Sequence, residues 1–150
     1  MLEIDHAARA TRGARPYQED NAAVSADSSP FVPKPTADKG WAEPFVAVLA
    51  DGMGGHVGGA MASGILCQTF LAAFADNPAP TPERLLCALD SANTAIAAKI
   101  EENPMLAGMG TTMIGVVFDA DGLQWVSVGD SPLYLFRRGG SYVAGRAMLR

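Results

Sequence analysis

Cysteine is scarce in this 150-residue sequence, where Cys67 and Cys87 stand alone without a Cys-x-x-Cys or a mixed Cys/His spacing. That disfavours a disulfide framework and a zinc site, and both residues, each inside a helical pattern, read as small core residues. Histidine is as sparse, with only His6 and His56. No uninterrupted apolar run exceeds about eight residues, well short of a membrane span, and residues 1–20 carry charges where a secretory leader needs an apolar centre. A cytoplasmic protein without a membrane partner is the expectation. Cations are outnumbered, 11 Lys and Arg against 16 Asp and Glu for a net charge of −5, which argues against nucleic acid as a partner. The sequence has neither a Gly-x-Ser-x-Gly nor a reactive-cysteine motif, so nothing points to a nucleophilic side chain. Acid itself runs out: after Asp130 none occurs, while residues 132–150 hold four arginines.

What is present is apolar enough for a core, 49% of the chain, and the length suits one domain. Its most informative stretch is Phe45-Val46-Ala47-Val48-Leu49-Ala50 followed by Asp51-Gly52-Met53-Gly54-Gly55-His56. The apolar run reads as a strand buried on both faces that delivers Asp51 to a tip. A carboxylate placed there is costly unless a cation meets it, and the bare backbone after it lets carbonyls or amides reach an ion or phosphate. Asp-Gly is also an ordinary turn pair, so Asp51 alone decides nothing.

In chain order, residues 2–10 could form an edge strand, and Arg15-Pro16 imposes extended backbone before Glu19-Asp20 and a strand candidate near Ala22-Ala23-Val24. Residues 27–44, rich in Pro and Ser, read as a loop pinned by Phe31 and Trp41. A helix is expected from Val57 to about Ala75, its stripe formed by Met61, Ile65, Leu66, Phe70, Leu71 and Phe74. A second follows Thr81-Pro82-Glu83, with Thr81 as N-cap, and ends near Asn103-Pro104; the two should lie antiparallel. Thr111–Phe118, Leu123–Val128 and Leu133–Phe136 then predict a three-stranded meander, turned at Asp121-Gly122 and Gly129-Asp130-Ser131-Pro132.

Glu19-Asp20, Asp51 and Asp130 each sit where a strand starts or stops and could meet at one sheet edge. Carboxylates with a free carbonyl suit hard divalent cations such as Mg²⁺ or Mn²⁺. A nucleotide-phosphate loop is the weaker alternative, since the glycines after Asp51 lack the Lys-Ser/Thr ending and the dinucleotide spacing.

Taken together, Arg15-x-x-x-Glu19-Asp20, Asp51-Gly52-Met53-Gly54-Gly55-His56, Gly110-Thr111-Thr112 and Gly129-Asp130-Ser131 resemble, in order and separation, the bacterial branch of the metal-dependent serine/threonine protein phosphatases, the PPM or type 2C family. The resemblance covers roughly residues 8–140. It implies an α+β fold, an α-β-β-α sandwich of two antiparallel sheets flanked by helix pairs, incomplete at its C-terminal side. It implies that Asp51 bridges two Mn²⁺ or Mg²⁺ ions, that Gly52 offers a carbonyl, that Glu19 and Asp20 approach the second ion, that Asp130 serves an additional outer ion, and that Arg15 holds the substrate phosphate. The implied reaction is hydrolysis of phosphoserine or phosphothreonine in proteins, products of a serine/threonine kinase and thus part of signal transduction. A non-catalytic phosphoprotein-binding module and a nucleotide-binding regulator are the competing classes.

The departures from the family pattern are Gln18 before Glu-Asp, Ala60 where an acid is usual, and Met53 where some members have a histidine. His56 does not inherit that histidine's role and reads as a structural loop residue, with a proton donor or a group behind the ligands as alternatives. Residues 1–140 are expected to form the phosphatase portion and 141–150 a divergent tail of a truncated or frameshifted product. With no later acids to complete the metal set, the 150-residue chain is expected to be nearly inactive and poorly folded alone.

Overall fold

The computed structural model describes residues 4–25, 44–54 and 57–145. The expected loop with Phe31 and Trp41, as well as His56, lies outside them. Strand β1 (Asn21–Val24) pairs with β2 (Phe45–Ala50), and β3 is the short pair Gly52–Met53. Helices α1 (Val57–Asp76) and α2 (Thr81–Glu102) follow, then β4 (Gly110–Thr111), β5 (Met113–Asp119), β6 (Gly122–Val128), β7 (Leu133–Arg137) and β8 (Gly140–Gly145). An antiparallel four-stranded sheet runs β1-β2-β5-β6, while β3-β4 and β7-β8 form separate two-stranded ribbons.

The register sorts the sheet's residues into two faces. Asn21, Ala23, Val46, Val48, Ala50, Met113, Gly115, Val117, Val126 and Val128 share one face. On it α1 and α2 pack, burying Leu66, Cys67, Phe70, Phe74, Leu85, Ala88 and Ala92. Gly115 is the low point of that face, because a methyl there would sit 2.7 Å from the Phe70 ring. The other face carries Phe45, Leu49, Ile114, Phe118, Leu123 and Trp125. His6 lies against Phe45 with ring centroids 5.5 Å apart, yet Leu49 remains 45% and Trp125 44% exposed. The expectation that β2 is buried on both faces therefore holds in full on the helix side and, on the other side, at Phe45 but not at Leu49.

Both helices end within a residue of their expected bounds. Their hairpin is clasped by Arg84, whose Nε and Nη2 donate to the Phe74 carbonyl at 2.9 and 2.7 Å while its guanidinium lies 3.9 Å from the Phe74 ring centroid. This closes open carbonyl valences at the end of α1. Thr81 is not an N-cap. Its hydroxyl donates to Asp119 Oδ2, and the Glu83 and Arg84 amides donate to the Pro80 carbonyl instead. Cys67 is buried, which pushes its thiol up to about 11, whereas Cys87 is exposed and not the core residue expected.

Among the described residues α1 is long and apolar enough to cross a membrane, although its inner side is packed into the core. Counting uninterrupted apolar runs misses it because Gly, Ser, Thr and Gln break the run.

Two further expectations fail. Of residues 4–10 only Ile4 makes an isolated bridge, so the N-terminal edge strand is not formed there. The meander also stops after two strands: β7 pairs with β8, not with β6. Gly129, at φ 94°, and Pro132, which has no amide to donate, turn the chain off the sheet. The β7-β8 hairpin stands out with Tyr134, Phe136 and Tyr142 exposed.

Candidate metal and phosphate site

Asp51 occupies the one-residue gap between β2 and β3, where the chain leaves the large sheet for the small ribbon. Its backbone is held from both sides. The Thr112 amide donates to the Asp51 carbonyl at 2.9 Å, the Asp51 amide donates to Thr112 Oγ1 at 3.2 Å, and Thr111 Oγ1 reaches the same carbonyl at 3.0 Å. With its main chain satisfied this way, the side chain stays exposed at the sheet edge.

Gly52 follows in the tightest spot among the described glycines. A methyl group there would run into the Gly59 carbonyl oxygen and lie 2.5 Å from the carbonyl of Glu19, so three backbone segments cross with no room for a side chain. One at Gly59 would lie 2.9 Å from Glu19 Oε1. This crossing brings residues 15–20 to Asp51, and Ser63 of α1 fastens it by donating to the Glu19 carbonyl at 2.6 Å.

The polar cleft so formed has a volume of about 220 Å³ and is lined by Arg12, Arg15, Tyr17, Gln18, Glu19, Asp20 and Asp51 among others. Arg15 Nη1 meets Glu19 Oε2 at 3.2 Å, with the arginine side chain 66% and the glutamate 14% exposed. A one-point contact leaves most of the guanidinium fork free to face the cleft. Arg12, whose Nη1 donates to the Pro16 carbonyl at 3.3 Å, is a second cation here that sequence reasoning does not single out. Its only sequence signal is proximity to Arg15.

Electrostatics tie the distant acids together. Asp51's carboxyl is raised above its ordinary value, first by partial desolvation, although the residue as a whole is open to solvent, and next by the neighbouring Asp20 carboxylate, which lies within reach to share a proton with it. Arg15 opposes the shift, and Asp130 adds the weakest push upward. The sign of the stability effect follows. A folded-state carboxyl that holds its proton more tightly than in the unfolded chain costs stability as pH rises from the ordinary range through the raised value. In metal-free buffer, Asp51→Asn should therefore raise the melting temperature at neutral pH and flatten its dependence on pH in the acid range. A thermal melt series from about pH 3 to 8 checks it; an unchanged or lower neutral melting temperature counts against the repulsion.

The fit of a divalent ion is judged from the donors. Glu19 Oε1 is buried with no hydrogen-bond partner among the described residues, and Asp20 and Asp51 crowd like charges that Arg15 only partly offsets. All are hard oxygen donors, which suits Mg²⁺ or Mn²⁺ and not zinc. Among the described residues no three carboxylate, imidazole or thiol side chains converge closely enough to hold an ion by themselves, so an ion held here would also need backbone carbonyl, water or substrate oxygens. Asp20, Asp51, Glu19 and the Gly52 carbonyl are thus the groups that could hold ions, with Asp130 acting on Asp51 from a separate loop.

The protein phosphatase 2C family profile matches residues 36–145, a span with Asp51, Gly52, Thr111, Thr112 and Asp130 but not Arg15, Glu19 or Asp20. The serine/threonine protein phosphatase PstP of Mycobacterium tuberculosis is 44% identical over 108 residues, 68% of this chain and 20% of that protein. A crystal structure of the M. tuberculosis serine/threonine phosphatase PstP/Ppp superposes with a TM-score of 0.76 at 33% identity, covering 97% of this chain and 55% of that one. The catalytic domain of PstP in complex with two manganese ions superposes with a TM-score of 0.64 at 30% identity, over 96% and 53% of the respective chains. This chain therefore spans about half the length of the solved relatives and a fifth of the curated one. The α+β architecture is that of part of a PPM domain, and with the family profile covering most of the sequence, the chain belongs to the protein phosphatase 2C family.

Proposed function

We propose that this chain carries the bridging-metal half of a phosphoprotein phosphatase site, hydrolysing phosphoserine or phosphothreonine esters. The observation that carries the reading is the placement of Asp51, backbone-clamped at a sheet edge, within hydrogen-bonding reach of Asp20 and beside Glu19 and Arg15 in one polar cleft.

Two Mn²⁺ or Mg²⁺ ions, when bound, would lower the pKa of bound water and offset charge on the phosphoryl oxygens. Asp51, Asp20, Glu19 and the Gly52 carbonyl would hold them, and Asp130 would serve an outer ion. The chain's own part is to fix those oxygens in place and bring phosphate to them. Arg15 presents a planar fork that matches two phosphate oxygens, and the Glu19 contact steadies it from behind. The net charge of −5 suits a cation-loaded site better than a nucleic-acid surface. A phosphoprotein made by a serine/threonine kinase, met in the cytoplasm within a signalling circuit, is the partner this reading supports.

The test is hydrolysis of a small aryl phosphate by the 150-residue chain with excess Mn²⁺, with and without a chelator. Turnover abolished by the chelator is the expected result. Because exposed Leu49, Trp125 and Phe136 leave apolar surface uncovered, the rate should be low compared with a full-length relative. Phosphopeptide binding with no metal-dependent turnover at any enzyme concentration would favour a binding module instead. Arg15→Lys should weaken inorganic phosphate binding about 10-fold while leaving Mn²⁺ affinity nearly intact, since a point charge replaces a fork. Calorimetric titration with each ligand decides it; unchanged phosphate affinity would make Arg15 a surface partner of Glu19 and nothing more.

A further inference from the structure

The Gly110-Thr111-Thr112 and Gly129-Asp130-Ser131 segments converge on one buried side chain. Thr112, only 8% exposed, stands in the gap between β4 and β5, as Asp51 stands between β2 and β3. Each is the residue at which its chain passes between the large sheet and the small ribbon. The Thr112 hydroxyl accepts from the Asp51 amide and shares a 2.7 Å hydrogen bond with Ser131 Oγ. Gly129 is shaped to receive it: at φ 94° it turns the chain, and a methyl there would meet Thr112 Cγ2 at 2.8 Å. Asp130 is therefore flanked by two residues that both touch Thr112.

We propose that Thr112 is a positioning residue, whose hydroxyl sets the height of Asp51 at the sheet edge and, through Ser131, holds the Asp130 loop in register with it. The inference deepens the metal-site reading above and rests on the assignment of Asp51 there. A hydroxyl that accepts one proton and gives or takes another joins two loops that no backbone hydrogen bond among the described residues connects. Valine keeps the shape of threonine but leaves the Asp51 amide without its acceptor and Ser131 without its partner. Serine keeps both bonds and loses only the methyl packed on Gly129. A purely structural role would rank the variants by packing, with Thr112→Val the milder, whereas a positioning role ranks them by the oxygen.

The test compares the wild-type chain with Thr112→Val, Thr112→Ser and Ser131→Ala by two measurements. Amide hydrogen exchange followed by NMR should be faster at Asp51 in Thr112→Val by about 10-fold, unchanged at Val117 in the core, and restored in Thr112→Ser. Mn²⁺ titration should show about 10-fold weaker binding for Thr112→Val, close to wild type for Thr112→Ser, and an intermediate loss for Ser131→Ala, which unties only the Asp130 loop. Equal exchange at Asp51 in Thr112→Val and wild type, or a serine variant as impaired as the valine one, overturns the proposal. Should Thr112→Val not fold, Ser131→Ala with unaltered Mn²⁺ affinity overturns the link to the Asp130 loop. Absence of Mn²⁺ uptake by the wild type would sink the metal reading itself, and the exchange measurement still decides whether Thr112 positions Asp51.

Discussion

Gly52→Ala should cost about 3 kcal/mol or more of stability and lower the melting temperature by about 10 °C, a larger effect than any surface substitution nearby. The new methyl has no direction to go. It meets the Gly59 carbonyl oxygen, and the Glu19 carbonyl lies 2.5 Å off on the same approach; both are backbone atoms that cannot rotate away. Relief requires α1 or the segment around Glu19 to move back, and either shift takes Glu19 and Asp20 away from Asp51. Mn²⁺ affinity should fall with stability. Gly64→Ala is the control. Within α1 its methyl meets nothing closer than Asn21 Nδ2 at 3.8 Å, so it should gain about 0.5–1 kcal/mol from reduced unfolded-state freedom. Denaturant unfolding of both variants checks the pair. A harmless Gly52→Ala would mean that the crossing is looser than the contacts require.

A second large effect is expected at Asp51. Asp51→Asn keeps size and most hydrogen bonding while removing the charge that faces Asp20, and if Asp51 bridges two ions both lose an anionic ligand. Mn²⁺ affinity should fall by more than the about 10–100-fold typical of a residue that only supports a ligand, whereas Asp130→Asn, which acts on Asp51 most weakly of the charged neighbours, should cost much less. Calorimetric titration of both variants separates them. Equal losses would place Asp130 beside Asp51 in importance, and no loss in either would remove the site. The same substitution that destroys binding should stabilise the metal-free chain, since the repulsion with Asp20 disappears. That opposition between stability and binding distinguishes a ligand from a structural carboxylate, whose loss lowers both.

Much of this site is legible from residues. The abrupt change from Phe45–Ala50 to Asp51-Gly52 is a periodicity signal followed by turn chemistry, and it locates the sheet edge. Asn77-Pro78 and Asn103-Pro104 end the helices because proline cannot continue them. Other features carry no local signal. The ribbon β3-β4 has two residues on each side, too short for any alternation, so the pairing of Gly52 with Thr111 emerges only in three dimensions. Thr81 has the chemistry of a cap, but the Asp119 carboxylate from a distant hairpin competes for its hydroxyl and wins as a charged acceptor. The path of β7 escapes sequence reasoning because Leu123–Val128 and Leu133–Phe136 are alike in composition, and what parts them is the turn made by Gly129 and Pro132. Arg12 escapes it too, since nothing in an isolated arginine says which way the cleft opens.

The hydrogen bond between the Asp51 amide and Thr112 joins residues 61 positions apart, while the Arg84 clasp on Phe74 spans only 10. Loop closure over a longer stretch of chain costs more entropy before its contacts repay it, so sequence-local contacts form sooner. The helical hairpin should therefore gather early in folding, and the sheet edge that presents Asp51 should be sealed near the end of the process. Read backwards in time, that edge is the first to come undone: brief excursions that release Thr112 from Asp51 need not disturb the helices at all. The readiness of a newly made chain to take up metal would thus wait on long-range closure of the sheet and not on the helices, and the lifetime of a loaded site on the opening of that edge.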